Sequence, residues 1–513
     1  MKRNLLTRTH IQKCMPLLFA LVPLALAFME WFRRIAYELS GPYTWDTPIY
    51  WAVGRGIANG IHPWTGLFET KPPGIFLLSA LSIKLIGTPQ LTHLFQVFAL
   101  VLLTLAPLFL IPWRHSRWPM FFLSLWFGLL LSQYVAERSG EVQVESFGAA
   151  FSALAVIAFA RSRSRRYGWF WSLLASLGLL GACGMKEPFF FSLLGAALLL
   201  LRRWRAWFFR WWLPFAFAIV AGLAFLLVNG WLHDYWTHYL TYMASVHVER
   251  SGSPLDRASE FWHTWEDLNN FAWMLGTLII FLGIVPFLFL RKRILVLFRS
   301  SNYGFRLFAA LWLASFALGM GGQFYNHHHV FAVPLYLALW ALFARLVSSS
   351  FYKTVSAVSL VLVGFALACA SISLPEIHLS ERQKNLEMET QRLRAEALYI
   401  DSLLDRCGVR QYQFLGGNGN QVYGWTRHSP QGPFFFQLGD FWEYSGFLDS
   451  MQASVKRSDL VIFQSMDQKL GFLVWPLLKS EFTKEPWPQV RNLVHPSMPD
   501  QVFFRIGACQ SPK

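Results

Sequence analysis

Asp46 stands in the stretch YTWDTPIYW (43–51), with Tyr43 and Trp45 before it and Tyr50 and Trp51 after it. A solvated loop has no need of four aromatics, and an apolar core does not choose an aspartate. A carboxylate so placed can accept a proton from a bound hydroxyl. Tyr50 follows four residues later, so a helix beginning near Asp46 puts both on one face. The loop continues as GRGIANGIHPW, a glycine-rich turn with no preceding strand and no GK[ST], and hence not a phosphate loop. Glu69-Thr70-Lys71-Pro72-Pro73 then sets an acid beside a base. Arg55 is a further cation that can meet an anion or anchor at headgroups. An interfacial aromatic loop with snorkelling charges is the plainer account of all these residues.

Three more stretches carry ionisable groups between apolar runs. AERSGEVQVESF holds Glu137, Arg138, Glu141 and Glu145, the last two spaced to share a helix face. Such crowding invites a proton, a cation or Arg138. GMKEPFF puts Lys186 and Glu187 in a tight turn, where Lys186 can neutralise a phosphate or pair locally. QFYNHHHVFAVP brings His327, His328 and His329 to the start of a span. Three consecutive histidines cannot all face one point on a helix, so two of them would ligate a metal with an external carboxylate, or one would hydrogen-bond a phosphate. A divalent cation stays open on this reading. No HExxH, CxxC or Ser-His-Asp order is present.

The elements that position these groups are membrane helices. Of 513 residues, 54% are hydrophobic and only 14% charged, with a mean hydropathy of +0.36. Apolar runs fall at about 16–32, 91–112, 118–134, 147–160, 169–185, 189–201, 211–232, 271–290, 307–322, 330–346 and 354–373. The fold class expected is an all-α polytopic membrane protein of about 11 spans with a small α/β domain after it. The net charge of +16 is concentrated in turns such as RSRSRR (161–166) and RRWRAWFFR (202–210). That bias places those turns in the cytoplasm and argues against nucleic acid as partner. It puts the N-terminus inside and the loops 33–90, 135–146, 186–188, 233–270 and 323–329 outside, with the tail. The run 73–88, which opens Pro-Pro and contains Lys84, is expected to lie along the interface. Two domains follow: 1–373 in the membrane and 374–513 outside it. The tail's runs QYQFLGG, PFFFQLG, DLVIFQS and QVFFRIG suggest strands. Cys407 and Cys509 of the tail either bridge in an oxidising compartment or stay as buried thiols.

Residues 15–350 resemble the integral-membrane glycosyltransferases of the GT-C class. The branch is that of the protein O-mannosyltransferases, the lipid A aminoarabinose transferases and the rhizobial lipopolysaccharide galacturonosyltransferases. The matching residues are Asp46 with Tyr50, Gly60 and Lys71-Pro72-Pro73, then Glu145-Ser146-Phe147, Lys186-Glu187-Pro188, and His327 through Pro334. Thr47 stands where several relatives carry a second acid. The resemblance implies a multi-pass protein of the cytoplasmic membrane, using a polyprenyl-phosphate-sugar donor and an envelope lipid, glycan or protein acceptor. Asp46 would be the general base, with inversion if displacement is direct. Lys71 and Lys186 would steady the leaving phosphate, assisted by His327 or His329 and by Arg55. Glu145 would orient the acceptor, support Lys71 or hold a cation, and Tyr50 and Trp45 would line the sugar site. A lipid or solute transporter, or a ligase of lipid-linked oligosaccharide, is the alternative. The first needs charges along the spans and repeat symmetry, neither of which is visible.

Overall fold

The computed structural model describes residues 46–111, 118–139, 142–162, 168–200, 212–247, 303–319, 326–347, 379–415, 419–435, 446–463, 468–485 and 501–506, with Tyr444 and a few positions of 21–32. The predicted spans 271–290 and 354–373 lie outside the described residues. So do Trp45, Glu141, Cys509 and the side chains of Glu137, Arg138 and His327.

Asp46–Ala58 is helix α1, and Gly74–Ile86 is α2. At 13 residues, α2 is about 20 Å long, too short to cross a hydrocarbon layer of about 30 Å. Ile75, Phe76 and Ser79 are buried while Leu81, Leu85 and Ile86 are exposed. The 73–88 run thus has one face on protein and one exposed.

The bundle follows as α3 (Leu91–Phe109), α4 (Trp118–Ser139), α5 (Val144–Arg161), α6 (Gly168–Met185), α7 (Phe189–Leu200) and α8 (Leu213–Val228). Among the described residues it continues with α9 (Leu232–Val246), α10 (Tyr303–Gly319) and α11 (Val333–Val347). By length and composition four described helices can cross a membrane: Leu91–Phe109, Val144–Arg161, Gly168–Met185 and His328–Arg345. A fifth is the bent pair α8 and α9. The predicted span 211–232 stops early, at Val228. Gly230 takes a left-handed backbone (φ 72°), and α9 leaves at 113° to α8. Close backbone approach holds the bundle where small residues meet. A Cβ on Gly178 of α6 would fall 2.7 Å from Ala155 N of α5, and one on Gly128 of α4 would collide with the Thr104 carbonyl of α3.

The tail opens with α12 (Leu379–Cys407), and then carries β1 (Tyr412–Leu415), α13 (Gly419–Trp425), α14 (Phe447–Arg457), β2 (Leu460–Phe463), α15 (Gln468–Glu481), β3 (Phe482–Glu485) and β4 (Gln501–Arg505). The sheet is mixed, in order β1-β2-β4-β3, with β1 parallel to β2 and the other pairs antiparallel. Tyr412, Phe414 and Leu415 of β1 and Leu460, Val461 and Ile462 of β2 are buried beneath the helices. Of the run PFFFQLG only the first three residues are described. In PFFFQLG, residues 433–435 are irregular, because the Pro433 carbonyl accepts the Phe68 N–H (2.7 Å) and Phe434 packs against the Phe68 ring. Cys407 is disulfide-bonded.

Candidate active site

Asp46 is the first residue of α1, where a carboxylate suits the positive end of the helix. Its Oδ2 accepts the Tyr50 hydroxyl at 3.3 Å, one turn on, and the Gln143 Nε2 at 3.3 Å. Tyr50 also reaches Gln143 Oε1 at 3.4 Å, closing a three-membered ring of contacts. Gln143 precedes α5 in extended backbone, and its N–H is held by Gln96 Oε1 of α3 (3.2 Å). Tyr50 itself is buried against Phe76 of α2. Asp46 is therefore oriented by two other helices.

Two lysines converge beside it. Lys71 Nζ lies 3.5 Å from Glu69 Oε1 and 3.4 Å from Thr70 Oγ1. Burial pulls Lys71 down, but the charges of Glu69, Asp46 and Glu145 outweigh it and leave its pKa raised. Glu69 is buried and its pKa is raised by lost hydration, against the opposing pull of Lys71. Lys186, in the turn between α6 and α7, donates to Glu145 Oε1 at 2.6 Å and lies 3.4 Å from His328 Nε2. Burial lowers the Lys186 pKa, partly countered by Glu145, with Lys71 adding to the lowering. Glu145 is in the first turn of α5 and almost wholly buried. The Lys186–Glu145 pair thus joins the start of α5 to the end of α6, and Asp46 and Lys71 both act on it electrostatically.

Of the residues named from sequence, Asp46, Tyr50, Lys71, Glu145 and Lys186 meet in this cluster. Arg55 does not. Its guanidinium is buried and donates to the main-chain carbonyls of Tyr423 (2.9 Å) and Gly424 (2.8 Å) in the C-terminal domain. His329 is buried in the short 3-10 turn Asn326–Ala332, while it is His328 that reaches Lys186. Glu187 turns away from Lys186 to accept from Tyr239 (2.7 Å) and Tyr235 (3.5 Å) of α9. Burial raises its pKa, tempered by the Tyr239 bond. Gln143 and His328 were absent from the expected set. The signal for Gln143 was its place two residues before the acid that opens α5.

An apolar cavity of about 420 Å³ adjoins the cluster. Its lining includes Pro72 and Pro73, next to Lys71 in the chain, with Leu179 and Gly184 of α6 and Leu223 and Leu226 of α8. Among the described residues no group of three or more His, Cys, Asp or Glu is arranged to hold a metal ion.

No protein-family model matches the chain, and no curated protein sequence does. Among solved structures, the fold is similar to that of ArnT from Cupriavidus metallidurans, crystallised bound to undecaprenyl phosphate. The TM-score is 0.50 at 12% identity, over 96% of this chain and 99% of that one. The likeness is one of fold: this is a multi-pass membrane protein with an ArnT-like fold.

Proposed function

We propose that the chain is a membrane glycosyltransferase of the GT-C class, moving a sugar from a polyprenyl-phosphate donor to an acceptor hydroxyl. The observation that carries this is the convergence of Asp46, Lys71, Glu145 and Lys186 from four separate segments, beside an apolar cavity whose lining includes Pro72 and Pro73. A lipid-phosphate donor needs that combination of cations next to room for a chain. The fold likeness to a protein with undecaprenyl phosphate bound supports the same donor class.

In this reading the acceptor hydroxyl gives its proton to Asp46 as its oxygen attacks the anomeric carbon. The bond from that carbon to the lipid phosphate breaks, and the phosphate oxygen keeps the electron pair. Lys71 and Lys186 stabilise the charge that develops there, the kind of electrostatic help that is strongest in a water-poor site. Direct displacement inverts the anomeric centre. Glu145, bound to Lys186, fixes that ammonium group, and His328 lies 3.4 Å from it. The site faces outward from the cytoplasmic membrane, with the tail on the same side; the disulfide of Cys407 supports an oxidising compartment for it.

Asp46→Asn keeps the size and the Tyr50 contact but cannot accept the proton. Turnover is expected to drop by about 10²–10⁴-fold, the span typical of a lost general base, with membrane insertion unchanged. A lipid and glycan profile of a deletion strain, complemented with wild type or Asp46→Asn, should lack the same sugar in the deletion and the variant. Near-normal transfer by Asp46→Asn would overturn the assignment.

A further inference from the structure

The C-terminal domain packs on the helix that carries Asp46, and it does so at that helix's first turn. Gly424, in α13, meets Pro48, two residues after Asp46. A Cβ on Gly424 would stand 2.4 Å from Pro48 Cα and 2.6 Å from the Pro48 carbonyl oxygen, so only hydrogen fits there. One residue on in α13, Trp425 meets Trp51 edge to face, with ring centres 5.1 Å apart. Two turns along α1, Arg55 donates to the carbonyls of Tyr423 and Gly424 at the end of α13, where a helix leaves carbonyls unpaired and favours a cation. The clasp thus runs from the first turn of α1 to its last.

We infer that Gly424 and Arg55 are positioning residues for Asp46, and that the C-terminal domain sets the first turn of α1 by way of α13. The inference rests on the reading of Asp46 as the base. The lysines come from other segments, Lys71 from the loop before α2 and Lys186 from the turn after α6, so a shift of α1 moves the base without moving the cations to the same degree. A methyl group on Gly424 meets backbone rather than a flexible side chain, so one partner must give by about 1 Å, and a misplacement of that size can cost about 10²-fold.

The test uses the full-length protein in detergent or nanodiscs with Gly424→Ala, Arg55→Gln and Arg55→Lys. Hydrogen–deuterium exchange of peptides covering 46–52 should rise in Gly424→Ala and Arg55→Gln, with exchange in α5 and α6 unchanged. In the transfer assay kcat should fall about 10- to 100-fold while KM for the donor stays within about 2-fold. Arg55→Lys, which keeps one donor of the fork, should recover part of the loss. Unchanged exchange at 46–52 overturns the inference, and so does unchanged kcat where Asp46→Asn is inactive. A uniform rise in exchange across the bundle, with kcat and KM altered together, would mean general loosening and overturns it too. If Gly424→Ala does not accumulate, the two Arg55 variants decide. A wild-type protein with no transfer activity would fail the functional reading instead, and the exchange data would still judge the coupling.

Discussion

Gln143 and Tyr50 both donate to one oxygen of Asp46, Oδ2. A base whose second oxygen is fixed presents its lone pair in one direction, which is the geometric part of proton transfer. Hydrogen bonds to a charged group are each worth about 1.5–3 kcal/mol, so Gln143→Leu should lower kcat by at least about 10-fold. Tyr50→Phe removes the other donor on the same oxygen. The double variant should lose less than the product of the two single losses, as measured in one transfer assay. Lys186 makes a second prediction. Its pKa is lowered by burial, so it loses its proton, and its charge, earlier than an ordinary lysine as pH rises. If that charge steadies the leaving phosphate, the alkaline limb of the pH–rate profile belongs to Lys186, beside Glu145, Lys71, Asp46 and His328. Lys186→Arg should push that limb upward, since a guanidinium stays protonated; an unmoved limb assigns it elsewhere. At this scale the charged residues were legible because an apolar chain makes each of them conspicuous. Gln143 was not: an uncharged amide beside a glutamate carries no such contrast. Arg55 was legible as special but not in its task, because two main-chain carbonyls leave no trace in side-chain spelling.

Among the elements, α6, α8 and the start of α2 line the apolar cavity, and Ala218 of α8 is one of its small lining residues. Ala218→Trp fills space that the donor's chain is proposed to occupy. KM should rise about 10-fold for a long-chain polyprenyl donor and stay nearly constant for a short-chain one, with kcat little altered. Equal effects on both donors would place the chain elsewhere. Hydrophobic runs and basic turns placed most bundle helices within a few residues. The run through 211–232 hid a sharp bend, since a glycine inside an apolar segment reads as helix until its backbone is seen. In the tail, β3 (FTKE) has one apolar residue in four and is a strand only through its pairing with β4. PFFFQLG spells a strand, yet its first residues serve the membrane domain through Phe68. For β3 a tertiary partner overrides propensity.

For the molecule as a whole, the cysteines offer a check on sidedness. Cys407 is bonded, and Cys509 is the other tail cysteine. Peptide mapping without reductant should recover the two linked. Closing a loop of about 100 residues would stabilise the tail by about 4–5 kcal/mol in the chain-entropy model. Recovery of both as free thiols would count against an oxidising compartment. The docking of the tail on α1 was invisible in the sequence, because nothing near Pro48 or Arg55 names a partner in the last quarter of the chain.

That distance has a consequence in time. Arg55 and the carbonyls it holds are separated by 368 and 369 residues. At a synthesis rate of about 5–20 residues per second, α1 leaves the ribosome about 20–70 s before α13 exists. During that interval its guanidinium has only water or headgroups to bind, and Pro48 has nothing packed against it. On the coupling inferred above, a nascent chain holds its base and its cations long before it holds them in register. Transfer would then begin only when the last domain has folded back onto the first loop, so a truncated or stalled chain left in the membrane would stay silent.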